Sequence, residues 1–292
     1  MTTFDTPEPI SITVELGVGD IRIAASDRAD TVADVRPSNP AKKTDVSAAQ
    51  QAKVEYAGGR LDIRAPKRRR QWSPWGGHES VDVQIDVPSG STLSGESSVA
   101  SLSCSGRIGS CRFRTGVGDI RVEEAGPIEL VTGAGDITVD RVEGRAELKT
   151  GSGAVRIRGV DGTAVVRNGS GETWIGEVTG DARVSAANGT ISVDVAHEGV
   201  VAKTANGSVR LGEVERGTVV AQSAFGAVEV GVREGVAAWL DLDTKFGHVK
   251  NDLESADRPG PGEDAVEVHA STSYGDVSIR RAFAHQSHAE RG

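Results

Sequence analysis

The chain has 292 residues, of which 37 are glycine and only 4% are aromatic, and its formal net charge is −9. The acidic balance argues against broad nucleic-acid binding, two cysteines are too few for a disulfide scaffold, and no apolar run reaches membrane-spanning length. Because no signal peptide is recognisable near the start of the sequence, we expect a cytoplasmic location and no membrane partner. The core is expected to consist of Val, Ile, Leu, Ala and Thr, which suit a pleated sheet.

Residues 1–90 are rich in strand patterns but irregular, and we predict that they form a β-rich cap continuous with the segment that follows. Residues 54–63 are predicted to form a hairpin around a Gly-Gly turn. Residues 81–87 are predicted to form a strand that ends at Pro88. A cap is expected because an open end of stacked strands would aggregate with its own kind.

One loop of the cap differs from its surroundings, because four basic residues stand beside two tryptophans. Charge and ring stacking at this loop suit a phosphate or another anionic ligand. The alternative interpretation is a solvated loop whose tryptophans fold back onto the cap. The candidate binding residues are Lys67, Arg68, Arg69, Arg70, Trp72 and Trp75.

Residues 91–281 contain a glycine that recurs every 17 to 19 residues. A fixed short period is the sequence signature of stacked, near-identical units. We therefore predict a single all-β solenoid of about ten short coils, right-handed, with a period near 18 residues. The recurring glycines are Gly118, Gly135, Gly153, Gly171, Gly189, Gly207 and Gly226.

Each repeat has a short alternating strand after the glycine, a bend, and a second alternating strand before the next glycine; we call these the first and second strands. Alternation places one apolar pair of each strand inside the solenoid. The predicted inward pairs of the first strands run from Ile120/Val122 to Val228/Val230. Those of the second strands run from Ile128/Leu130 to Leu240/Leu242.

A small polar residue precedes most of the glycines by three positions and is predicted to form a column at the corner of the coils. In a stack, such side chains lie about 4.8 Å apart and hydrogen-bond along the stack or to the turn backbone. We prefer this structural role to a reactive one. The column is Thr115, Thr132, Thr150, Asn168, Ala186, Thr204, Ser223, Thr244 and Thr272.

The same template extends to both ends of the array. Cys104 and Cys111 take inward positions upstream and are predicted to be core thiols rather than metal ligands or a redox pair. Downstream, Gly247 and Gly275 open two further coils, separated by a polar excursion at residues 253–264. Residues 282–292 lose the period and are predicted to be a flexible tail.

Acidic residues follow three corner glycines, at Asp119, Asp136 and Asp276. Calcium-binding repeats carry acidic ligands in every turn, whereas this column is otherwise mixed, so we expect the aspartates to cap turn amides. Trp174 occupies an outward position of a first strand and is a further candidate for binding a partner. Partial cover by Arg156 and its neighbours is the alternative.

Four segments carry a resemblance to a known family: TGVGDIRV (115–122), TGAGDITV (132–139), TGSGAVRI (150–157) and TANGSVRL (204–211). Together they resemble the bacterial β-strand-repeat family of unknown function labelled "putative adhesin". The resemblance covers roughly residues 10–281. It implies a β-solenoid of short coils and supplies no catalytic residues.

Three hypotheses for function remain. We favour a non-enzymatic scaffold or interaction module whose partner is another protein or a second copy. The alternatives are a carbohydrate-binding or carbohydrate-cleaving β-helix, which usually has clustered carboxylates in a cleft, and a solenoid that assembles into filaments. No catalytic, cofactor-binding or metal-ligating residue is predicted, because nucleotide loops, hydrolase elbows and zinc spacings are absent from the sequence.

Overall fold

The computed structural model describes residues 1–65, 79–253 and 265–282. The chain divides into two compact units, residues 1–171 and 172–292. Apart from one helix, the regular structure of the described residues is β-strand. Each unit is built from short strands that turn at a glycine corner and stack in parallel, which confirms the predicted β-solenoid.

Unit 1 contains fourteen described strands and the helix. Their bounds are β1 Thr2–Asp5, β2 Ser11–Ser26, β3 Asp30–Pro37, α1 Lys43–Gln51, β4 Lys53–Ala57, β5 Arg60–Arg64, β6 Val81–Pro88, β7 Thr92–Ile108, β8 Cys111–Val117, β9 Ile120–Ala125, β10 Ile128–Ala134, β11 Ile137–Glu143, β12 Ala146–Ser152, β13 Val155–Asp161 and β14 Ala164–Ser170.

Unit 2 contains eleven described strands. Their bounds are β15 Thr173–Val178, β16 Ala182–Asn188, β17 Ile191–Ala196, β18 Val200–Asn206, β19 Val209–Val214, β20 Gly217–Phe225, β21 Val228–Val232, β22 Ala237–Phe246, β23 Val249–Asn251, β24 Ala265–Tyr274 and β25 Val277–Arg281.

In unit 1 the first strands and the second strands form two separate parallel stacks. The register places equivalent positions of successive coils directly opposite each other, as for Ile137 and Val155 between β11 and β13, or Thr132 and Thr150 between β10 and β12. The two long strands β2 and β7 each pass through a corner and contribute to both stacks. Parallel pairing of this kind satisfies the backbone groups of each coil through the coils above and below it.

The N-terminal end of unit 1 is covered by antiparallel strands. β3 pairs with β6 and β4 pairs with β5, so the predicted hairpin and the predicted strand at 81–87 are both confirmed. The helix α1 was not predicted from the sequence. It holds a buried carboxylate, Asp45, which pairs with Lys42 Nζ at 3.0 Å and accepts a hydrogen bond from the Ser80 amide at 3.2 Å. The predicted division at residue 90 stays a prediction.

The core consists of the predicted inward residues. Every predicted pair of the first strands is buried, as are the pairs of the second strands as far as Val219/Ala221. Cys104 and Cys111 are buried free thiols, as expected. Their mutual hydrogen bond and their burial raise the pKa of the Cys104 thiol well above its ordinary value, so the thiol is protonated and behaves as a small apolar side chain.

The corner glycines bring the backbones of neighbouring coils into direct contact. Gly135 has a φ of 146°, in the region that favours glycine. A Cβ at this position would lie 2.1 Å from the carbonyl oxygen of Gly118 in the adjacent coil. The recurrence of glycine in the sequence therefore follows from both a backbone conformation and the absence of space for a side chain.

The polar corner column hydrogen-bonds from coil to coil. Thr132 Oγ1 donates to the carbonyl oxygen of Gly118 at 3.0 Å, and Thr150 Oγ1 donates to that of Gly135 at 3.1 Å. The column in unit 2 repeats this contact with Thr204, Ser223, Thr244 and Thr272. The structural role predicted for this column is confirmed.

The aspartates after the corner glycines cap amides of the neighbouring coil, as predicted. Asp119 Oδ1 accepts a hydrogen bond from the amide of Asp136 at 2.8 Å. Asp136 Oδ1 accepts one from the amide of Ala154 at 2.7 Å, and Asp276 Oδ1 accepts one from the amide of His248 at 2.8 Å.

We predict that Gly135→Ala lowers the free energy of unfolding by at least about 3 kcal/mol, because the new Cβ meets a carbonyl oxygen and the φ is unfavourable for alanine. Urea unfolding measures the change. The matched control is Gly159→Ala, which has open space around the new Cβ and should change stability by less than about 1 kcal/mol. Equal effects of the two substitutions would contradict the corner argument.

We predict that Thr132→Val lowers the free energy of unfolding by about 1–2 kcal/mol. The substitution removes the hydroxyl that donates to the carbonyl oxygen of Gly118 while conserving the shape of the side chain. The control is Thr138→Val on the outer side of β11, where a change within about 0.5 kcal/mol is expected. Thermal and urea unfolding of both variants provide the test, and a neutral Thr132→Val would show that the column does not stabilise the stack.

Candidate interaction surface

The sequence-predicted site residues fall into two groups. Lys67, Arg68, Arg69, Arg70, Trp72 and Trp75 lie outside the described residues, so binding at the basic loop stays a prediction. Trp174 lies in β15 and is half-buried, and its indole N–H donates to Asp194 Oδ2 at 3.1 Å. The side chain is therefore partly covered, whereas cover by Arg156 stays a prediction. A partner at Trp174 stays a prediction.

The end of unit 2 departs from the order that the sequence predicts. β24 pairs with β20 on one side and with β22 on the other. β25 lies in the same way between β21 and β23. The chain therefore passes over one position of the stack, builds β22 and β23, and then returns to fill the gap. We call β22 and β23 the terminal coil.

The outer edge of the terminal coil has no partner strand among the residues that the structure describes. The sequence predicts that Leu240 and Leu242 are buried in the core. This prediction is wrong, since both side chains are half-exposed. Their equivalents on β24, Val268 and Ala270, are buried. The difference arises because β24 has a neighbour on each side and β22 has one.

Large apolar side chains are exposed on the same coil. The exposed fractions are 58% for Trp239, 64% for Phe246 and 46% for Val249. Contiguous exposed apolar side chains mark interaction sites more often than scattered ones do. We define the terminal surface as the side chains Trp239, Leu240, Leu242, Phe246 and Val249.

An aromatic ladder runs along the corner of unit 2 to the terminal surface. The rings of Phe225 and Tyr274 are parallel with centroids 4.8 Å apart, and Tyr274 and Phe246 repeat this spacing. The distance equals the separation of hydrogen-bonded strands, so the strand register sets the ladder. Each of the three residues directly precedes a corner glycine in the sequence. That recurrence was the available signal, and the sequence reasoning did not use it.

Charged side chains of β22 and β24 lie beside the terminal surface. His269 of β24 lies between two carboxylates: its Nδ1 is 3.2 Å from Asp241 Oδ2 of β22 and its Nε2 is 3.1 Å from Glu267 Oε1. The hydrogen bond to Asp241 is the main cause that raises the pKa of His269, and desolvation opposes it in part. Protonated His269 thus ties the terminal coil to its neighbour.

Unit 1 has a shallow, open groove whose lining includes Ser and Thr side chains and three arginines. All three guanidinium groups are paired with a carboxylate: Arg60 with Asp62 at 3.1 Å, Arg112 with Glu129 at 2.9 Å and Arg145 with Glu147 at 3.2 Å. Exposed, compensated pairs of this kind contribute little binding energy.

Within residues 1–65, 79–253 and 265–282, no group of three or more His, Cys, Asp or Glu side chains is placed to hold a metal ion. No helix there is long and apolar enough to cross a membrane. The terminal surface combines exposed apolar side chains with an edge that has no partner strand among the described residues, so we take it as the candidate functional site.

We predict that Asp241→Asn returns the pKa of His269 toward its ordinary value, because it removes the main group that stabilises the imidazolium. Since the folded-state pKa is raised, the stabilisation by this pair is complete below the unfolded pKa of about 6.5 and is lost as the pH rises through the folded value. NMR titration of the imidazole measures the shift. Asp243→Asn is the control, and an unchanged His269 pKa in Asp241→Asn would contradict the assignment.

The comparisons with solved structures reveal distant similarity along nearly the whole chain. A "putative cell adhesion protein" from Clostridium sporogenes is 11% identical, with 96% of this chain and 98% of that chain covered and a TM-score of 0.22. A "putative lipid binding protein" from Parabacteroides distasonis is 14% identical, with coverage of 97% and 96% and a TM-score of 0.42. A "putative adhesin" from Bacteroides fragilis is 12% identical, with coverage of 96% and 96% and a TM-score of 0.36.

No curated protein matches the sequence significantly. The profile of the family described as Toastrack DUF4097 matches residues 8–280. The match includes the glycine corners, both stacks of strands and the terminal coil. With most of its length matched, this chain belongs to the Toastrack DUF4097 family.

Proposed function

We propose that the protein is a non-enzymatic scaffold and protein-interaction module that binds another polypeptide at its terminal surface. The observation that carries the proposal is the unpaired edge of β22 and β23 with exposed aliphatic side chains beside it. An edge strand offers a row of free N–H and C=O groups, and an incoming strand can pair with them. A cytoplasmic location belongs to the proposal as a prediction.

The favoured mode is strand addition rather than binding of a small ligand. Backbone hydrogen bonds supply affinity in this mode, and alternate side chains of the added strand fill the exposed inward positions. Leu240, Leu242 and Val249 provide those positions, since their equivalents in the stack are covered by a neighbouring strand. The added strand would extend the core by one layer.

The aromatic ladder favours a polypeptide over a carbohydrate. Sugar rings stack on the open face of an aromatic side chain. Tyr274 has Phe225 on one face and Phe246 on the other, with each pair of centroids 4.8 Å apart. Both faces of Tyr274 are thus covered, and the outer face of Phe246 lies at the position where an added strand would continue the ladder.

We predict that Val249→Lys abolishes partner binding, because a charge is placed at an inward position of the edge. The matched control is Val117→Lys, since Val117 is 50% exposed but lies in β8 within the stack of unit 1. Each tagged protein is used to capture polypeptides from extract of its host cells after cross-linking through lysine. The expected result is a polypeptide cross-linked to Lys245 or Lys250 in the wild type and in Val117→Lys, and lost in Val249→Lys.

The partner recovered can be another protein or an untagged copy of the same chain, and two differently tagged copies distinguish these results. Cross-links that fall only in other parts of the chain would contradict the proposal. Equal capture by Val249→Lys and the wild type would contradict it as well.

A further inference from the structure

We infer that His197 is a proton-sensitive clasp, which as imidazolium holds three successive coils of unit 2 together and on losing a proton releases the first of them. His197 directly follows β17, and β17 pairs with β15 on one side and with β19 on the other. The inference is independent of the proposed function, because it concerns neither the terminal surface nor a bound partner.

The two ring nitrogens of His197 each contact a carboxylate of a different coil. Nε2 lies 2.9 Å from Glu177 Oε1 of β15. Nδ1 lies 3.0 Å from Oε2 of Glu215, which directly follows β19. A carboxylate only accepts hydrogen bonds, whereas a neutral imidazole has one donor and one acceptor nitrogen. Both contacts are therefore hydrogen bonds only when the ring is an imidazolium with two N–H donors.

The surroundings of the ring favour the charged form. Desolvation lowers the pKa of His197, but the hydrogen bonds to Glu177 and Glu215 outweigh it, so the pKa is raised above its ordinary value. The neighbouring charges at these bends have partners of their own, as Glu198 with Arg216 at 2.9 Å. The other charged side chains of β17, β19 and the bends beside them are Asp181, Asp194, Glu213 and Arg233.

The two carboxylates differ in what else holds them. Glu215 is only 18% exposed and also pairs with Arg233 Nη1. Glu177 is 58% exposed, so it can turn into water at little cost. When the ring loses a proton to solvent, the remaining N–H stays on Nδ1 toward Glu215. The lone pair of Nε2 then faces the carboxylate of Glu177, and this contact opens.

The clasp lies at a bend, where the strand pairing ends. The last backbone hydrogen bond there runs from the amide of His197 to the carbonyl oxygen of Val178, at 3.1 Å. Since the folded-state pKa of His197 is raised, the stabilisation by the clasp is complete below the unfolded pKa of about 6.5 and is lost as the pH rises through the folded value. Alkaline pH therefore loosens the bend after β17 from β15.

The first test is an NMR titration of the ring nitrogens of His197 in the full chain, assigned through the backbone amide of the same residue. The expected result is a pKa above about 6.5, with both nitrogens protonated below it and only Nδ1 protonated above it. Glu177→Gln is expected to lower the pKa, because the glutamine amide can donate to the neutral ring. Glu229→Gln on β21 is the control and should leave the pKa unchanged.

Three results of this titration would overturn the inference. The first is a pKa of His197 at or below the ordinary value, and the second is an equal change in the Glu177→Gln and Glu229→Gln variants. The third is a proton that stays on Nε2 above the pKa, because the contact with Glu177 would then be the one that survives.

Hydrogen exchange tests whether the bend opens. After correction for the intrinsic dependence of exchange on pH, protection of the His197 amide should fall as the pH passes the measured pKa of the ring. Protection of the Ile191 amide, which donates to the carbonyl oxygen of Ser208 in the next coil at 2.9 Å, should stay constant. In Glu177→Gln the fall at His197 should be absent. Constant protection of the His197 amide in the wild type would overturn the inference.

Discussion

The structure depends on the close approach of backbones at the glycine corners. Corner glycines such as Gly135 and Gly153 face a carbonyl oxygen of the adjacent coil at a distance that excludes a Cβ, and hydroxyls of the corner column donate to carbonyls in the same place. Strand pairing holds the coils about 4.8 Å apart, and the corner contact allows the chain to turn at that spacing. The same spacing sets the burial of the aliphatic pairs and the distance between stacked aromatic rings. Repetition of one contact thus explains most of the sequence pattern.

A fold that satisfies each coil through its neighbours has a difficulty at its ends. At the N-terminal end of unit 1, antiparallel strands and a helix take the place of a further coil. At the end of unit 2 the chain turns back and inserts β24 and β25 behind the coil it has just built. This insertion gives β24 and β25 a partner strand on each side but leaves β22 and β23 at the edge. The proposed function follows from this difference between the two ends.

Most of the repeat was predictable because its determinants are local. The alternation of side chains, the corner glycine and the Thr column identified the inward residues, and both cysteines were placed correctly. The order of the last strands was not predictable, because β22 and β24 fit the same template and nothing in the residues states which of them lies next to β20. The prediction that Leu240 is buried was therefore wrong. The helix α1 was missed because its fixing contacts, such as Asp45 with the Ser80 amide, are distant in sequence.

Hydrogen exchange resolved to single strands tests the central claim most directly. In dilute solution, amides of β11 and β17 should exchange slowly because each strand is paired on both sides, whereas amides of β22 and β23 that face the open edge should exchange fast. On binding of a partner polypeptide, the amides of β22 and β23 should become protected while those of β11 and β17 do not change. Slow exchange of β22 and β23 in dilute solution would contradict the account, because it would mean that the edge is already paired.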